Sequence, residues 1–567
     1  MNAPILEVRN LKTIFDTSRR LVKAVDGVSF DVHAGEIVGL VGESGSGKSI
    51  TGFSIIGLLD EPGRIVEGSV KFDGRELVGL PAHELRAIRG KAISMVFQDP
   101  LMTLNPVLTI GAQMGLALAA HERLSSSDAR RRAVEALALV KIPDPEQKVD
   151  FYPHQLSGGM RQRVAIAIAV LHKPRLIIAD EPTTALDVSI QAEILTEVKE
   201  LVAKLGTALI WISHDLATVA AISQRIIVMQ TGKIVETGSA TDVLTAPTHP
   251  YTKRLLSSLP SRALPGQYLG RAIGVDDAAP RESGRTRHAS VPLGVPFLVI
   301  DSVSKRFKSR VGLIRSLGIK AGLATSPSDV QAVDEVSIVL NRGEVLGLVG
   351  ESGSGKSTLG RMAAGIHVPT SGTVRLAGKQ LMSDGKNPRK ITTSVQTIFQ
   401  DPFSSLNGRM KVGDAIAEGP LAHRLISSAD AGSYVAKWLS AVGLDPTFAD
   451  RYPHQFSGGQ RQRVAIARAL AMQPDVVICD EPVASLDVSI QAQIINLLLR
   501  LRRELDLSII FISHDLAVVR HLCDRVAVMF KGKIVEEGLT SDIYGQPRHE
   551  YTRRLLAAVP ELPAAAV

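Results

Sequence analysis

Two short glycine-rich stretches carry residue types that can bind phosphate groups. Residues 42–49 read GESGSGKS and residues 350–357 read the same, so both fit the pattern GxxxxGK[ST]. Glycines let backbone N–H groups turn inward around phosphate oxygens, and the N-terminus of a following helix adds positive potential. In this pattern the lysine reaches the β- and γ-phosphates and the last serine ligates Mg²⁺. The predicted nucleotide-binding residues are Gly42, Ser44, Gly45, Gly47, Lys48 and Ser49 in the first loop, and Gly350, Ser352, Gly353, Gly355, Lys356 and Ser357 in the second.

Two apolar segments, LIIA and VVIC, each end in an Asp-Glu pair. A strand would carry both carboxylates to the sheet edge at which the phosphate-binding loop lies. Asp180 and Asp480 then suit Mg²⁺ coordination. Glu181 and Glu481, one residue further on, can polarise the water that attacks the terminal phosphate. The pairs therefore predict hydrolysis of a nucleoside triphosphate.

A Ser-Gly-Gly motif occurs in each half of the chain, as LSGGM at residues 156–160 and as FSGGQ at residues 456–460. The N–H groups at the start of the following helix, together with the serine hydroxyl, form another anion site. A second phosphate grip is useful if each copy closes over the nucleotide held by the other copy. With the loops and the acidic pairs, these motifs resemble the ABC ATPase family, whose signature is LSGGQ. Met160 departs from the usual glutamine at the edge of that motif.

The resemblance runs from about Leu6 to Pro260 and from about Leu298 to Pro560. It implies ATP as the nucleotide, a catalytic glutamate, a glutamine that contacts Mg²⁺ and water, and a switch histidine that holds the γ-phosphate. The implied catalytic residues are Gln98, Glu181, His214, Gln400, Glu481 and His514; the metal ligands are Ser49, Gln98, Asp180, Ser357, Gln400 and Asp480; the D-loop aspartates are Asp187 and Asp487; Ser157 and Gly159 would contact ATP on the second copy, and Ser457 and Gly459 ATP on the first.

Two aromatic residues, Phe15 and Phe307, stand where the family stacks a ring on adenine. A core position is the other interpretation of each. Because both copies carry a complete set of catalytic residues, both sites are expected to hydrolyse ATP.

The elements that must position these residues are duplicated. The blocks YPHQ, RQRVAIA, LDVSIQA and ISHDLA recur in the same order about 300 residues apart. We therefore predict one nucleotide-binding domain over residues 1–261 and another over 297–567. Residues 262–296, rich in Pro, Gly, Ser and Arg, predict a flexible linker. The second copy also has an insertion around residues 308–331, which predicts a surface loop or a short helix.

Short β-branched runs alternate with helical stretches within each copy, which predicts a mostly parallel sheet covered by helices. Residues 36–41 form a strand before the glycine-rich loop, residues 176–179 a strand before the acids, and residues 208–213 a strand before His214. Residues 101–153 and 403–453 have helical character and predict a separate helical subdomain in each copy. The fold class is α/β, with two P-loop NTPase domains of the ABC type. The resemblance implies a RecA-like core and an antiparallel β subdomain beside each helical subdomain.

The composition is that of a globular protein, with 45% apolar and 22% charged residues over 567 residues. No apolar run approaches the roughly 18 residues needed to cross a bilayer, and no signal peptide is recognised at the N-terminus, so we expect a cytosolic chain. Two cysteines, Cys479 and Cys523, exclude a disulfide framework and any four-thiolate cluster. The net charge of +8 could serve a nucleic acid or an anionic membrane surface, but an Arg-rich solvated surface is favoured, since no run of like charge occurs.

Two further blocks narrow the resemblance to the dipeptide/oligopeptide/nickel subfamily of bacterial importers. Asp-Pro and Leu-Asn follow Gln98 and Gln400 at fixed spacing, and each copy ends in His-x-Tyr-Thr-[Lys/Arg]-Arg-Leu-Leu, at residues 249–256 and 549–556. Among fused double-domain members, the chain is similar to the glutathione and peptide-antibiotic importers. Many subfamily members carry a cysteine-rich segment after this block that can hold an iron–sulfur cluster. No cysteine occurs there in this chain, which excludes the cluster.

The subfamily implies two transmembrane permease subunits and, through them, a periplasmic or extracellular solute-binding protein, with this chain peripheral on the cytoplasmic face of the membrane. Peptide, glutathione, nickel chelate, oligosaccharide and opine all remain open as the transported solute. The alternative is a tandem ABC ATPase that acts on ribosomes or nucleic acid. The ribosomal branch has a long charged helical linker, and repair relatives carry zinc modules or long coiled coils, none of which this sequence shows.

Overall fold

The computed structural model describes residues 3–17, 20–184, 186–270, 296–307, 329–383, 390, 392–484, 486–560 and 562. The chain divides into two compact units. Unit 1 comprises Met1–Leu256 and Ala558–Val567, and unit 2 comprises Ser257–Ala557.

The described residues of unit 1 form ten strands in two sheets. The strands are β1 (Leu6–Thr17), β2 (Arg20–Val32), β3 (Ile37–Val41), β4 (Gly63–Phe72), β5 (Arg75–Glu76), β6 (Ile93–Val96), β7 (Leu176–Asp180), β8 (Ala208–Ser213), β9 (Arg225–Gln230) and β10 (Lys233–Ser239). The first sheet is antiparallel, in the order β2-β1-β4-β5. The second has the order β10-β9-β3-β8-β7-β6 and is parallel except at its β9–β10 pair.

The helices of unit 1 cover the parallel sheet and form a separate helical layer. They are α1 (Lys48–Ile56), α2 (Ala82–Ile88), α3 (Pro100–Thr103), α4 (Ile110–Ala119), α5 (Ser126–Leu139), α6 (Pro145–Lys148), α7 (Gly158–Val170), α8 (Val188–Leu205), α9 (Leu216–Ile222), α10 (Ala240–Thr245) and α11 (Pro250–Ser257). Helices α3 to α6 occupy the stretch for which the sequence predicted a helical subdomain, so that prediction is confirmed.

The central strands β3, β7 and β8 are buried along their whole length. Their near-continuous apolar runs are typical of parallel strands that helices cover on both faces. In the ladder Val41 lies opposite Ser213 and Asp180 lies opposite Ile212, so the three strands end at the same level. The loop after β3, the acids at the end of β7 and the histidine after β8 therefore meet at one sheet edge.

Unit 2 repeats this architecture, with the sheets β12-β11-β14-β15 and β16-β17-β18-β13-β19-β20. Its strands are β11 (Pro296–Phe307), β12 (Val330–Asn341), β13 (Val345–Val349), β14 (Ser371–Leu376), β15 (Lys379–Gln380), β16 (Val395–Ile398), β17 (Val476–Asp480), β18 (Ser508–Ile512), β19 (Arg525–Phe530) and β20 (Lys533–Leu539). Its helices are α12 (Lys356–Ala363), α13 (Pro402–Ser405), α14 (Val412–Ala422), α15 (Ala431–Ala441), α16 (Gly458–Leu470), α17 (Val488–Leu505), α18 (Leu516–Leu522), α19 (Thr540–Gly545) and α20 (Glu550–Ala557). The predicted duplication and the two-domain α/β fold are confirmed.

The segment between the copies is only partly described. Residues 262–270 of the predicted linker belong to unit 2, where they continue a short 3₁₀ helix over Pro260–Arg262. Leu269 in this segment is only 2% exposed. We call residues 258–270 the strap. The rest of the predicted linker up to residue 295, and the predicted insertion apart from residues 329–331, lie outside the described residues. Within the described part of the chain, no helix combines the length and hydropathy that a membrane span requires.

Candidate functional site

The first phosphate-binding loop joins β3 to α1. Helix α1 begins at Lys48 after Gly47, whose φ of 97° lies in the left-handed region that favours glycine. A Cβ atom on Gly47 would lie 2.3 Å from the carbonyl oxygen of Ala24. The buried Lys48 ammonium donates to the carbonyl oxygens of Gly42 at 2.8 Å and Glu43 at 2.9 Å. These contacts fix the lysine over the loop at the helix N-terminus.

The second loop has the same geometry. Gly355 has a φ of 105°, and a Cβ atom there would lie 2.2 Å from the carbonyl oxygen of Ala332. Lys356 donates to the carbonyl oxygens of Gly350 at 2.7 Å and Glu351 at 2.8 Å. The structure thus builds two equivalent cradles, each with its lysine held by the loop itself.

Two of the three predicted metal ligands in each unit, the serine and the aspartate, meet at the start of the loop helix. The Ser49 hydroxyl donates to Asp180 Oδ1 at 2.9 Å, and Ser357 donates to Asp480 Oδ1 at 2.8 Å. Burial raises the pKa of Asp180 to about 6 despite the hydrogen bond from Ser49, and burial likewise raises the pKa of Asp480. A cation would offset this cost of burying a carboxylate. Hydroxyl, carboxylate and amide oxygens are hard ligands, so the donor set fits Mg²⁺.

The glutamate after each aspartate lies between the predicted glutamine and histidine. Gln98 Nε2 donates to Glu181 Oε2 at 2.9 Å, and His214 Nδ1 donates to Oε1 at 3.0 Å. In unit 2 the distances from Glu481 are 2.7 Å to Gln400 Nε2 and 3.2 Å to His514 Nδ1. Side chains far apart in sequence therefore converge on one carboxylate in each unit.

The charges of this group support an ionised glutamate. Burial raises the pKa of Glu181, but the hydrogen bond and charge of His214 outweigh it, so that the pKa is lowered. Glu481 behaves in the same way beside His514. Burial lowers the pKa of His214, but the hydrogen bond and charge of Glu181 leave it raised. The carboxylate is therefore ionised at neutral pH, which is the form that a general base needs.

Both glutamates have a backbone conformation that the sequence did not reveal. Their φ angles are 45° at Glu181 and 49° at Glu481, in the left-handed region. The backbone N–H of Glu181 donates to the carbonyl oxygen of Ile212 on the neighbouring strand at 2.9 Å, and that of Glu481 donates to the carbonyl oxygen of Ile512 at 2.9 Å. This conformation costs a non-glycine residue roughly 1–2 kcal/mol. Strain of this kind is found at sites that need a fixed side-chain direction.

The two Ser-Gly-Gly motifs start helices but differ in one contact. Ser157 caps α7 by accepting from Met160 N at 3.3 Å, and Ser457 caps α16 by accepting from Gln460 N at 3.3 Å. The Gln460 side chain also accepts from Ser457 N at 3.1 Å, which completes a capping box. Met160 has no oxygen with which to make that second bond. Both serines are exposed, as a ligand-binding hydroxyl requires.

The second glycine of each motif packs closely against the helix that follows the D-loop aspartate. A Cβ atom on Gly159 would lie 2.6 Å from Ile190 Cγ2, and one on Gly459 would lie 2.4 Å from Ile490 Cγ2. Only glycine permits this approach without a shift of the isoleucine. The start of α7 is therefore in direct contact with the start of α8 in unit 1, and the start of α16 with the start of α17 in unit 2.

The two candidate adenine-stacking rings lie on the antiparallel sheets. Phe15, on β1, packs over Gly63, where a Cβ atom would approach the ring to 2.7 Å. Phe307, at the end of β11, is 40% exposed, and Lys305 Nζ lies 5.5 Å from its ring centroid. Phe307 is thus exposed, with Lys305 and His367 beside its ring, whereas Phe15 is partly buried.

Two tyrosines reach the phosphate-binding loops, a contact that the sequence analysis missed. Glu43 N donates to the hydroxyl of Tyr251 at 3.0 Å, and Glu351 N donates to that of Tyr551 at 3.0 Å. Both tyrosines are buried and come from the His-x-Tyr-Thr blocks on α11 and α20. The signal was present in the sequence, because the block recurs in both copies, but nothing local indicated its partner.

Comparison with known proteins gives full-length matches. A family model described as ABC transporter matches residues 25–184 and 333–484, and one described as the C-terminal region of oligopeptide/dipeptide transporters matches residues 235–280 and 535–566. The glutathione import ATP-binding protein GsiA of Pectobacterium atrosepticum is 43% identical over 566 residues, which are 98% of this chain and 89% of that protein. The peptidoglycan transport ATP-binding protein YejF of Agrobacterium fabrum is 42% identical over 558 residues, with 98% and 96% covered.

Among solved structures, the ATP-binding cassette MJ0796, in a dimeric post-hydrolysis state bound to ADP and Pi, covers 41% of this chain at 32% identity and a TM-score of 0.38. The family model covers the loops and acidic pairs of both copies, and the relatives match the chain from end to end. The chain therefore belongs to the ABC transporter family, as an ATP-binding protein with two cassettes.

Proposed function

We propose that the chain is the ATP-hydrolysing motor subunit of a bacterial ABC importer for peptides or related small solutes. The observation that carries the proposal is the matched Gln–Glu–His group beside a complete phosphate-binding loop in both units. The relatives named for glutathione import and peptidoglycan transport support import as the work done. The oligopeptide/dipeptide C-terminal region at the end of each copy supports the solute class.

Each residue has a distinct task in the proposed reaction. The loop N–H groups and Lys48 hold the phosphates, and Ser49, Asp180 and Gln98 would hold Mg²⁺, which neutralises phosphate charge when bound. Glu181 accepts a proton from the attacking water, because its carboxylate stays ionised beside His214. His214 would contact the γ-phosphate. The corresponding residues of unit 2 do the same.

The signature serines and the aromatic residues complete the proposed nucleotide contacts. Ser157 and Ser457 present exposed hydroxyls at helix N-termini, which favour anions. The exposure of the Phe307 ring supports adenine stacking, and Phe15 lies at the corresponding position on the antiparallel sheet of unit 1. We assign Gly159 and Gly459 to the same ATP contact as the signature serines, because packing fixes the helix starts on which these glycines lie.

Transport requires membrane partners. A cleft in unit 2 is the proposed attachment site for one of them. The cleft has a volume of about 470 Å³ and lies between β16, which directly precedes Gln400, and helices α14 and α16. Glu418 and Arg468, 3.5 Å apart, line it together with Phe399. A cytoplasmic helix of a permease fits such a groove between subdomains. Motion at Gln400 on hydrolysis would then pass to the permease.

The same positions in unit 1 have another chemistry. Leu116, which is 63% exposed, replaces Glu418, and Ile168 replaces Arg468. The two units would thus present an apolar and a charged docking surface, which supports two different permease subunits. Through them the motor would serve a solute-binding protein outside the membrane, while the chain stays peripheral on the cytoplasmic face.

Fractionation of cells with and without the co-expressed permeases tests the proposal. We expect the chain in the membrane fraction only when permeases are present, because docking rather than lipid contact holds it there. Arg468→Glu should lower the membrane-bound share, whereas Arg375→Glu, a charge reversal on β14, should not. Salt-sensitive sedimentation with ribosomes, without a permease-dependent membrane fraction, would instead support the alternative of a tandem ATPase acting on ribosomes.

A further inference from the structure

The strap is bound to unit 2 by an unusual set of side-chain contacts. Leu269 N donates to Asn496 Oδ1 at 2.8 Å, and Asn496 Nδ2 donates to the Leu269 carbonyl oxygen at 2.9 Å. Gly266 N donates to the His521 carbonyl oxygen at 2.8 Å, and His521 Nε2 lies 2.8 Å from the Gln267 carbonyl oxygen. One amide on α17 and one residue at the end of α18 thus hold the strap backbone at consecutive points.

The contacts between Asn496 and Leu269 belong to the interior rather than the surface. Asn496 is 7% exposed and Leu269 is 2% exposed. A buried amide without its hydrogen bonds costs about 1–3 kcal/mol. Asn496 obtains both of its described bonds from the strap, so the strap is part of how unit 2 satisfies its core.

Arg503 adds a third contact and the strap closes one side of a cleft. Arg503 Nη2 donates to the Gly266 carbonyl oxygen at 3.2 Å, and its guanidinium lies 5.6 Å from the Tyr268 ring centroid. Gly266 and His521 line a cleft of about 450 Å³ in which the charged groups are Arg502, Arg503, Asp506 and Asp524. The strap is thus fixed by backbone, side-chain and ring contacts.

The first copy of the domain provides an internal comparison. Thr196, Ala221 and Ala203 stand at the positions of Asn496, His521 and Arg503, each 300 residues earlier. Thr196 donates to the Ala192 carbonyl oxygen of its own helix at 3.0 Å. Alanine has no polar side chain. The residues that receive the strap are therefore particular to unit 2 and are not a general requirement of the fold.

The helices that hold the strap lead directly to catalytic elements. Asp487 is the N-cap residue that directly precedes α17, and α18 begins two residues after His514. Gln491 Nε2 on α17 donates to Asp515 Oδ2 before α18 at 3.1 Å, so the two helix starts are already joined. The strap joins the same two helices further along. Two cross-links between two helices fix their relative position better than one.

We propose that the strap is a positioning element of the second ATPase site. By joining α17 to α18 it fixes the D-loop Asp487 and the switch His514 relative to each other. Asn496 and His521 are its positioning residues and do not touch the nucleotide. The proposal rests on the roles given to Asp487 and His514 under the proposed function.

The experiment compares full-length variants that install the residue of the first copy. Asn496→Thr and His521→Ala break the strap contacts, and Gln493→Glu, on another face of α17 where Arg463 contacts it, is the matched control. We expect amide hydrogen exchange of residues 258–270 to accelerate in the first two variants only. We expect kcat for ATP hydrolysis to fall about 2- to 30-fold, the range for substitutions that act on a site through an intervening network. KM for ATP should change less than twofold, because the phosphate-binding loop is untouched.

A second variant guards against loss of fold in α17. Leu269→Ala alters only the strap: it keeps the backbone bonds to Asn496 but removes the buried side chain. It should lower kcat in the same direction, and combining it with Asn496→Thr should have a less than additive effect, because both changes loosen the same attachment. Rapid exchange of the strap in the wild-type protein would overturn the proposal. So would accelerated exchange with unchanged kcat, which would leave the strap a passive attachment. A fully active Glu481→Gln variant would instead contradict the proposed site, and the exchange result would be unaffected by it.

Discussion

The hydrogen bond from each phosphate-binding loop to a C-terminal tyrosine makes a prediction that can be worked out from the structure. Tyr251→Phe and Tyr551→Phe remove only the hydroxyl that accepts from Glu43 N or Glu351 N, at 3.0 Å in both units. A neutral hydrogen bond contributes about 0.5–1.5 kcal/mol net. The bond anchors the backbone of a loop whose other N–H groups bind phosphate in the proposed function, so we expect part of this loss to appear as weaker ATP binding. A loss of about 1 kcal/mol raises the Kd roughly fivefold.

The Kd should be measured by nucleotide titration in a Glu181→Gln/Glu481→Gln background, in which hydrolysis does not deplete ATP. Tyr434→Phe is the matched control, because the Tyr434 hydroxyl donates to the Ala471 carbonyl oxygen at 2.6 Å in the helical subdomain. It should lower the melting temperature but leave the Kd unchanged. If the loop variants behaved like Tyr434→Phe, with lower stability and unaltered ATP affinity, the tyrosines would only be packing residues and the reasoning would be refuted.

The remaining predictions concern catalysis, the signature helix and pH. Replacing Glu181 and Glu481 together by Gln should leave ATP binding but lower turnover by about 10²-fold or more; ATPase activity above roughly a tenth of wild type would contradict the general-base role. Either substitution alone should also reduce activity substantially, and an effect from only one would identify an inactive site, with Met160 the first residue to suspect. Met160→Gln should complete the capping box and raise stability by about 0.5 kcal/mol, measured by thermal melting, while Gln460→Met should lower it by a similar amount. Burial lowers the pKa of His521 from its ordinary 6.5, although the hydrogen bond to the Gln267 carbonyl opposes the shift. The unfolded chain therefore binds the proton more readily, so the strap should be fully protected from hydrogen exchange above pH 6.5 and should lose protection as the pH falls. His521→Ala should remove this pH dependence, and a dependence that persisted in the variant would contradict the assignment.

Most of the fold follows from local patterns in the sequence. The runs IVGLV and LIIAD predicted buried parallel strands, and the structure confirms strands β3 and β7 with ends within a residue of the predicted ones. The helical subdomains were predictable because residues 101–153 lack the strand rhythm. The repeated blocks fixed the number of domains, since each block recurs in the same order.

The contacts that the sequence did not reveal are those between distant segments. From composition alone, residues 262–270 were predicted to be part of a flexible linker. Composition cannot show that Asn496, 227 residues beyond Leu269, binds the backbone of this segment. The link from Tyr251 to the loop spans 208 residues and is equally invisible locally. A comparison of the two copies would have marked Asn496 and His521, because polar residues there replace Thr196 and Ala221. Divergence between duplicated domains is thus a usable signal of unit-specific contacts.

The left-handed backbone at Glu181 and Glu481 places stability and activity in opposition at the same residue. Glycine adopts that conformation without the penalty that a Cβ atom brings, so a change to glycine would relieve strain while removing the carboxylate. β-branched residues would be tolerated worst. A search for thermostable variants that does not measure activity would therefore favour glycine at the two positions where it abolishes ATP hydrolysis. Stabilised variants that change Glu181 or Glu481 should therefore be assayed for ATP hydrolysis before a gain in melting temperature is accepted.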